Sequence, residues 1–263
     1  MTIPAGYRPW QILFARHKTE KMGKTLIIFD VDGTLVYSNR IDSQCFAETY
    51  ERLYLRTFPT IDWTQYPHVT DTTIFNTVIR RHFNRDVTQE ELDEFQHHYI
   101  YQLKQKRALN PNEFKEVPFA KKTLDSLKMD DRFVVGIATG GWLRPAQVKL
   151  RHVEIQEQTI FMSGADGKET REDIIYHVIG EVRQHVEALD KIVYVGDAIW
   201  DVDTTRRMQL NFVGVRRNGD LEVLQRAGSK VVIRDYTDYD QFLEAVFTAT
   251  PPLNPEEKEA PGY

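Results

Sequence analysis

Two apolar runs in this chain each end on a pair of aspartates. Asp30 and Asp32 follow TLIIF (residues 25–29) in the segment Asp30-Val31-Asp32-Gly33-Thr34, while Asp197 and Asp201 follow KIVYV (residues 191–195) in VGDAIWD. If each run is a buried strand, alternate residues at its C-terminal end aim carboxylates into one crevice. Anions so close repel, and holding them together requires a cation or a shared proton. Several carboxylates with other oxygen ligands suit Mg²⁺, a hard ion that keeps part of its water shell. Each cluster also has a plainer reading. Asp-Gly is ordinary turn chemistry, and Asp197 stands where a helix cap would. Two acidic strand ends in one chain favour the metal site.

Two further segments carry groups suited to an anion. Thr139-Gly140-Gly141 closes the run FVVGIA (residues 133–138), giving a hydroxyl and backbone N–H groups at a glycine-rich helix start. Lys168 and Arg171 surround the start of the next helix, DGKETREDII. Thr170 and Asp173 have capping-box spacing, which places Arg171 in the first turn. A cation there opposes the helix dipole unless an anion compensates, although a solvated surface charge is the plain alternative. His68 and Thr70 precede another helix; the functional reading is a loop facing a substrate, the plain one an N-cap at Thr70 or Asp71. Gly23-Lys24-Thr25 resembles the end of a P-loop, but Lys18 occupies the position of its first glycine and Lys24 precedes a strand. Trp142 and Trp200 flank two of these segments and suit either a substrate border or core packing.

Strands alternating with helices must position these groups. Besides residues 25–29, strands are expected at 133–138, 160–162, 191–195, 211–215 and 230–233, with helical stretches such as Ile174, Ile175, Val178, Ile179 and Val182 between them. That alternation predicts a parallel sheet covered on both faces. Residues 38–118 read differently, as a helical insert without a convincing strand. Ile41, Cys45, Phe46, Tyr50 and Leu53 share one helical face, Ile74, Phe75, Val78 and Ile79 another. A third helix starts at a Thr88–Glu91 capping box and buries Leu92, Phe95, Tyr99 and Leu103.

Composition sets the outer limits. The 263 residues are 41% hydrophobic and 28% charged, enough for one large domain or one domain with a smaller insert. A net charge of -5 offers no footprint for nucleic acid or an anionic membrane. No apolar run approaches the ~18 residues of a membrane span, and the start lacks the apolar stretch of a signal peptide, so the cytoplasm is the expected location. Cys45, the single cysteine, leaves no internal disulfide. Residues 1–21 read as an N-terminal extension and the proline-punctuated residues 250–263 as a disordered tail.

Taken in order, FDVDGTL, ATGG, the Lys168/Arg171 region and VGDAIWD resemble the motifs of the haloacid dehalogenase-like (HAD) hydrolase superfamily, from about residue 25 to 233. The insert is similar to the C1 cap of its phosphoglycolate phosphatase and beta-phosphoglucomutase-like members. The resemblance implies an α/β fold, a Rossmann-like doubly wound core over residues 22–37 and 119–249 with the cap at 38–118. It further implies a magnesium-dependent phosphohydrolase acting on a small phosphorylated metabolite. In that scheme Asp30 is the nucleophile and Asp32 the acid–base. Asp30, the Asp32 carbonyl and Asp197 hold Mg²⁺ with support from Asp201, and Thr139, Gly140 and a third-motif cation bind phosphate. Lys168 lacks the proline that often follows the family's lysine, and Arg171 is the preferred candidate. A phosphomutase would share all of these residues. A dehalogenase would lack Asp32, and a non-catalytic binding protein would not need every acidic group.

Overall fold

The computed structural model describes residues 23–217 and 220–254; the expected extension over 1–21 and residues 255–263 of the expected tail lie outside them. Six parallel strands form one sheet. They are β1 (Lys24–Phe29), β4 (Phe133–Ala138), β5 (Phe161–Ser163), β6 (Leu189–Gly196), β7 (Asn211–Val215) and β8 (Val232–Ile233), in the order β5-β4-β1-β6-β7-β8. The expected strands are thus present. Leu26 to Phe29 of β1 are fully buried, as a continuous apolar run in a parallel sheet should be. From β1 the chain builds outward through β4 to β5, then returns to the other side of β1 with β6. The sheet therefore has its topological switch point between β1 and β6, where open α/β sheets bind ligands. Register decides what meets there. Phe29 pairs with Ile137 of β4 and with Val195 of β6. Asp30, Thr139 and Asp197 consequently leave the sheet side by side.

Helices α4 (Ala120–Lys128), α5 (Leu143–His152), α6 (Arg171–His185), α7 (Ile199–Met208), α8 (Glu222–Ala227) and α9 (Tyr239–Thr248) flank the sheet. Ile174, Ile175, Val178, Ile179 and Val182 of α6 are all buried, as their spacing predicts.

The insert is helical, with α1 (Asn39–Tyr54), α2 (Asp71–Phe83) and α3 (Gln89–Leu109). The Thr88–Glu91 capping box is formed. Its two roots pair as short antiparallel strands, β2 (Val36–Tyr37) and β3 (Lys115–Glu116), where the sequence pattern shows no strand. Two residues are too few to display a period, so only the pairing reveals them.

Residues 250–254, expected to begin the disordered tail, are held in place. Thr250 O accepts from Phe212 N at 3.2 Å, Leu253 O from Arg206 Nε at 2.8 Å, and Leu253 N donates to Gly228 O at 3.0 Å. The carbonyls used belong to Thr250 and Leu253, on either side of Pro251 and Pro252, which have no N–H to pair.

Candidate active site

Asp30 follows β1 directly, and its N–H donates to Val195 O of β6 at 2.9 Å. The residue is only 5% exposed. Burial, outweighing the attraction of Arg171 and aided by Asp201 and Asp32, pushes its pKa up to about 7. Asp197 follows β6, and Asp201 sits in the first turn of α7. Oxygens of Asp30, Asp197 and Asp201 all lie within 4.8 Å of one another, and all three residues are buried. Gly33 makes room for this approach. It takes a φ of +79°, and a Cβ on it would collide with the Asp197 carboxylate.

The three carboxylates are not equivalent. Asp201 Oδ1 accepts from Arg171 Nη2 at 2.6 Å and its Oδ2 from Ala198 N at 3.0 Å, so both oxygens are engaged. Among the described residues, the Asp197 carboxylate takes one hydrogen bond from a side chain, Asn39 Nδ2 to Oδ2 at 3.1 Å. Burial first, then Asp201 and Asp30, hold its carboxyl well above the usual range. A cation fits this arrangement: the protein's own donors leave the Asp197 and Asp30 oxygens largely open, and a bound ion would favour the ionised forms that burial disfavours. Asp201 would serve such an ion mainly from behind.

Arg171 is the first helical residue of α6, after the N-cap Thr170, whose side chain accepts from Asp173 N. The expected N-cap is therefore formed, and the first-turn cation is buried. Its Nη2 donates to Tyr194 OH at 2.9 Å and lies 3.3 Å from Asp30 Oδ1. Among the described residues its Nε has no partner, and Nη1 reaches the Val69 carbonyl only at 3.5 Å. Protein acceptors thus leave the guanidinium with spare donors. Gly140 lies beneath it, where any Cβ would meet Nη1. Thr139, also buried, accepts from Gly141 N at 3.1 Å and so shapes the loop over which Arg171 lies. Lys168 is elsewhere, with Nζ on the Asp166 carbonyl at 3.2 Å.

Asp32 does not point its side chain into the carboxylate cluster. Oδ1 accepts from Ser38 Oγ and Oδ2 from Lys149 Nζ, each at 2.5 Å. Lys149 also donates to Asp42 Oδ1 at 2.7 Å. Burial works against its ammonium, but Asp32 and Asp42 hold it charged, above its ordinary pKa.

A cavity of about 330 Å³ joins these groups, bordered by Asp30, Asp32, Thr139, Gly140 and Arg171 of the core and by Ile61 and Trp63 of the cap. Trp200 also borders it, whereas Trp142 is fully buried against the cap. The loop before α2 divides between its two readings. Thr70 adjoins the cavity, but its hydroxyl caps α2 and donates to Glu169 O at 2.8 Å. His68 lines a separate cavity of about 190 Å³ against α7. The reason is docking. Asp71 N donates to Gly140 O, Trp142 N to Asp71 Oδ2, and the Thr72 and Thr73 hydroxyls to Ala165 O and Glu169 O. The start of α2 is therefore bonded to the core loops, and His68, just before it, lies on the side of α7.

Sequence reasoning missed Lys149, Ser38, Asn39, Asp42 and Tyr194. Only Lys149 left a trace: it falls on the buried stripe with Ala146 and Leu150, where a lysine is out of place.

Comparison with known proteins agrees with this architecture. A hydrolase from Pseudomonas syringae superposes with a TM-score of 0.62 at 20% identity, covering 86% of this chain and 99% of its own. A provisionally assigned phosphoglycolate phosphatase from Haemophilus somnus gives 0.58 at 18%, covering 85% and 99%. A provisionally assigned beta-phosphoglucomutase from Bacteroides vulgatus gives 0.60 at 15%, covering 87% and 91%. At these identities the likeness shows the fold alone. No curated protein matches the sequence. Among the described residues, no helix is long and apolar enough to cross a membrane. The family model described as haloacid dehalogenase-like hydrolase matches residues 27–215, from β1 to the end of β7, and on that match the chain belongs to this family.

Proposed function

We propose that this hydrolase is a magnesium-dependent phosphatase that cleaves a small phosphorylated metabolite through an aspartyl-phosphate on Asp30. The observation that carries the reading is the convergence of Asp30, Arg171 and the Thr139-Gly140 loop on one cavity, with the buried carboxylates of Asp197 and Asp201 behind Asp30.

The Asp30 carboxylate attacks phosphorus as the bond to the ester oxygen breaks. Arg171 and the Thr139-Gly140 loop hold the phosphoryl oxygens, offsetting the negative charge that repels a carboxylate nucleophile. Asp32 delivers a proton to the departing oxygen. It then takes a proton from the water that attacks the aspartyl-phosphate, which releases inorganic phosphate and restores Asp30. Asp30 and Asp197, with the Asp32 carbonyl and Asp201 in support, would hold Mg²⁺, which when bound neutralises charge on the transferred group.

Phosphate release from 4-nitrophenyl phosphate with added Mg²⁺ tests the reading. Asp30→Asn should lower turnover on the order of 10⁴-fold or more while the protein stays folded by circular dichroism. Undiminished turnover in that variant, or in excess chelator, would sink the proposal. Recovery of an isomerised phosphate ester in place of inorganic phosphate would make the protein a mutase.

A further inference from the structure

Lysine is almost never fully buried unless its charge is paired. Lys149 is 1% exposed, at the cap-facing side of α5, and does not line the cavity that holds Asp30. Its ammonium bridges two carboxylates that belong to different parts of the molecule. Asp32 is on the loop after β1, and Asp42 is on cap helix α1. Asp42 Oδ1 also accepts from the hydroxyl of Tyr99 on α3 at 2.5 Å. The other Asp32 oxygen is fixed by Ser38, the residue just before α1.

A purely structural tie between cap and core is the plain explanation for this cluster. It accounts for Asp42 and Tyr99, but not for the choice of Asp32 as the core partner. Buried ion pairs are often no more stabilising than apolar side chains of similar volume. What such a pair does supply is a defined direction for the groups it binds.

We propose that Lys149 is a positioning residue for Asp32: with Ser38 it fixes the direction of the Asp32 carboxylate, and through Asp42 it makes that direction depend on the docked cap. The proposal rests on Asp32 acting as acid–base. Lys149 itself gives up no proton and touches no substrate. Its effect appears where Asp32 protonates the leaving oxygen as the P–O bond breaks.

Leaving groups of different basicity expose that step. Phenoxide needs the proton far more than 4-nitrophenoxide does. Single-turnover release of phenol and 4-nitrophenol from their phosphate esters is compared in the parent, Asp32→Asn, Lys149→Met and the double variant, all with Mg²⁺. General-acid assistance supports a loss of roughly tenfold or more on phenyl phosphate for Lys149→Met, beyond any loss on the 4-nitrophenyl ester. Lys149→Arg, which keeps a charged donor, should restore part of it. In the Asp32→Asn background, Lys149→Met should add little to the leaving-group dependence. Equal losses on both esters, or full additivity with Asp32→Asn, would show that Lys149 only supports the fold. If Asp32→Asn itself is insensitive to the leaving group, the acid–base assignment fails first, and the positioning role fails with it. Should Lys149→Met not fold, Asp42→Asn removes one anchor of the ammonium and leaves the lysine in place. A leaving-group-dependent loss there supports the proposal, and a uniform loss overturns it.

Discussion

Two buried cations flank the Asp30–Asp32 loop, and they are held in different ways. Arg171 is fixed by Asp201, Asp30 and Tyr194, all on or beside the sheet, and Tyr194 OH is tied in turn to Ala138 O at 3.0 Å. Lys149 is fixed by Asp32 on one side and by Asp42 of the cap on the other. The half of the site that would grip a phosphoryl group is thus built mainly by the core, at its strand ends and helix starts. The half that would move protons is complete only where cap and core meet. Rigid strand ends hold the charge that must not shift, and a cap contact sets the group that has to suit each substrate.

Breaking the cap side should have the largest effect on stability. Trp142, from the core loop after β4, inserts between Phe46, Phe75 and Phe95 of the cap, and its Nε1 donates to Thr72 Oγ1 at 2.9 Å. Trp142→Ala should cost about 3–5 kcal/mol, the usual range for emptying a large aromatic site. Urea unfolding measures it, and an unchanged midpoint would mean that the indole does not hold the cap.

The core side is broken at Arg171. Arg171→Ala should lower kcat/KM by ~2–3 kcal/mol, roughly thirty- to over a hundredfold, for one charge-assisted contact. It should also lower stability, because Asp201 is left buried and unpaired. Lys168→Ala should change neither. The reverse ranking in steady-state kinetics would return the phosphate role to Lys168.

The smallest expected effect is a pH dependence at the seam. Burial, then the nearby Asp42, push the Asp71 carboxyl up to about 8, although Lys149 pulls the other way. A carboxyl whose folded pKa exceeds its unfolded value contributes stability that is fully present below about pH 4 and is lost as pH rises toward 8. Asp71→Asn cannot titrate, yet keeps an acceptor for Trp142 N. Its melting temperature relative to the parent should therefore rise between pH 5 and 8.5, by roughly a few degrees at most, since Asp71 borders the cavity. Parallel pH profiles for the two proteins would rule this out.

Much of the core half was legible beforehand. Apolar runs that stop at Asp30, Thr139 and Asp197 state both the strands and the ends that carry chemistry, because a buried parallel strand has no polar alternation to blur its limits. Arg171 was legible as a first-turn cation that opposes the helix dipole. The cap half was not. Asp42 and Ser38 look like an ordinary first-turn acid and a residue before a helix, and nothing local to His68 tells which cavity it will face.

The sequence by itself determined the alternation of strands and helices, the presence of a helical insert and the identity of the acidic strand ends. Those follow from periodicity and from caps, which act within a few residues. Only the tertiary structure decided that β1 lies between β4 and β6, which brings Asp30 and Asp197 together across a separation no local pattern encodes. It also decided that Lys149 meets Asp32 across 117 residues of chain, and that the start of α2, which borders the cavity, is bonded to the core loops. Burial is the physical reason. A lone lysine or carboxylate reads as surface until the fold removes water around it, and its charge then has to find the partner that the packing supplies.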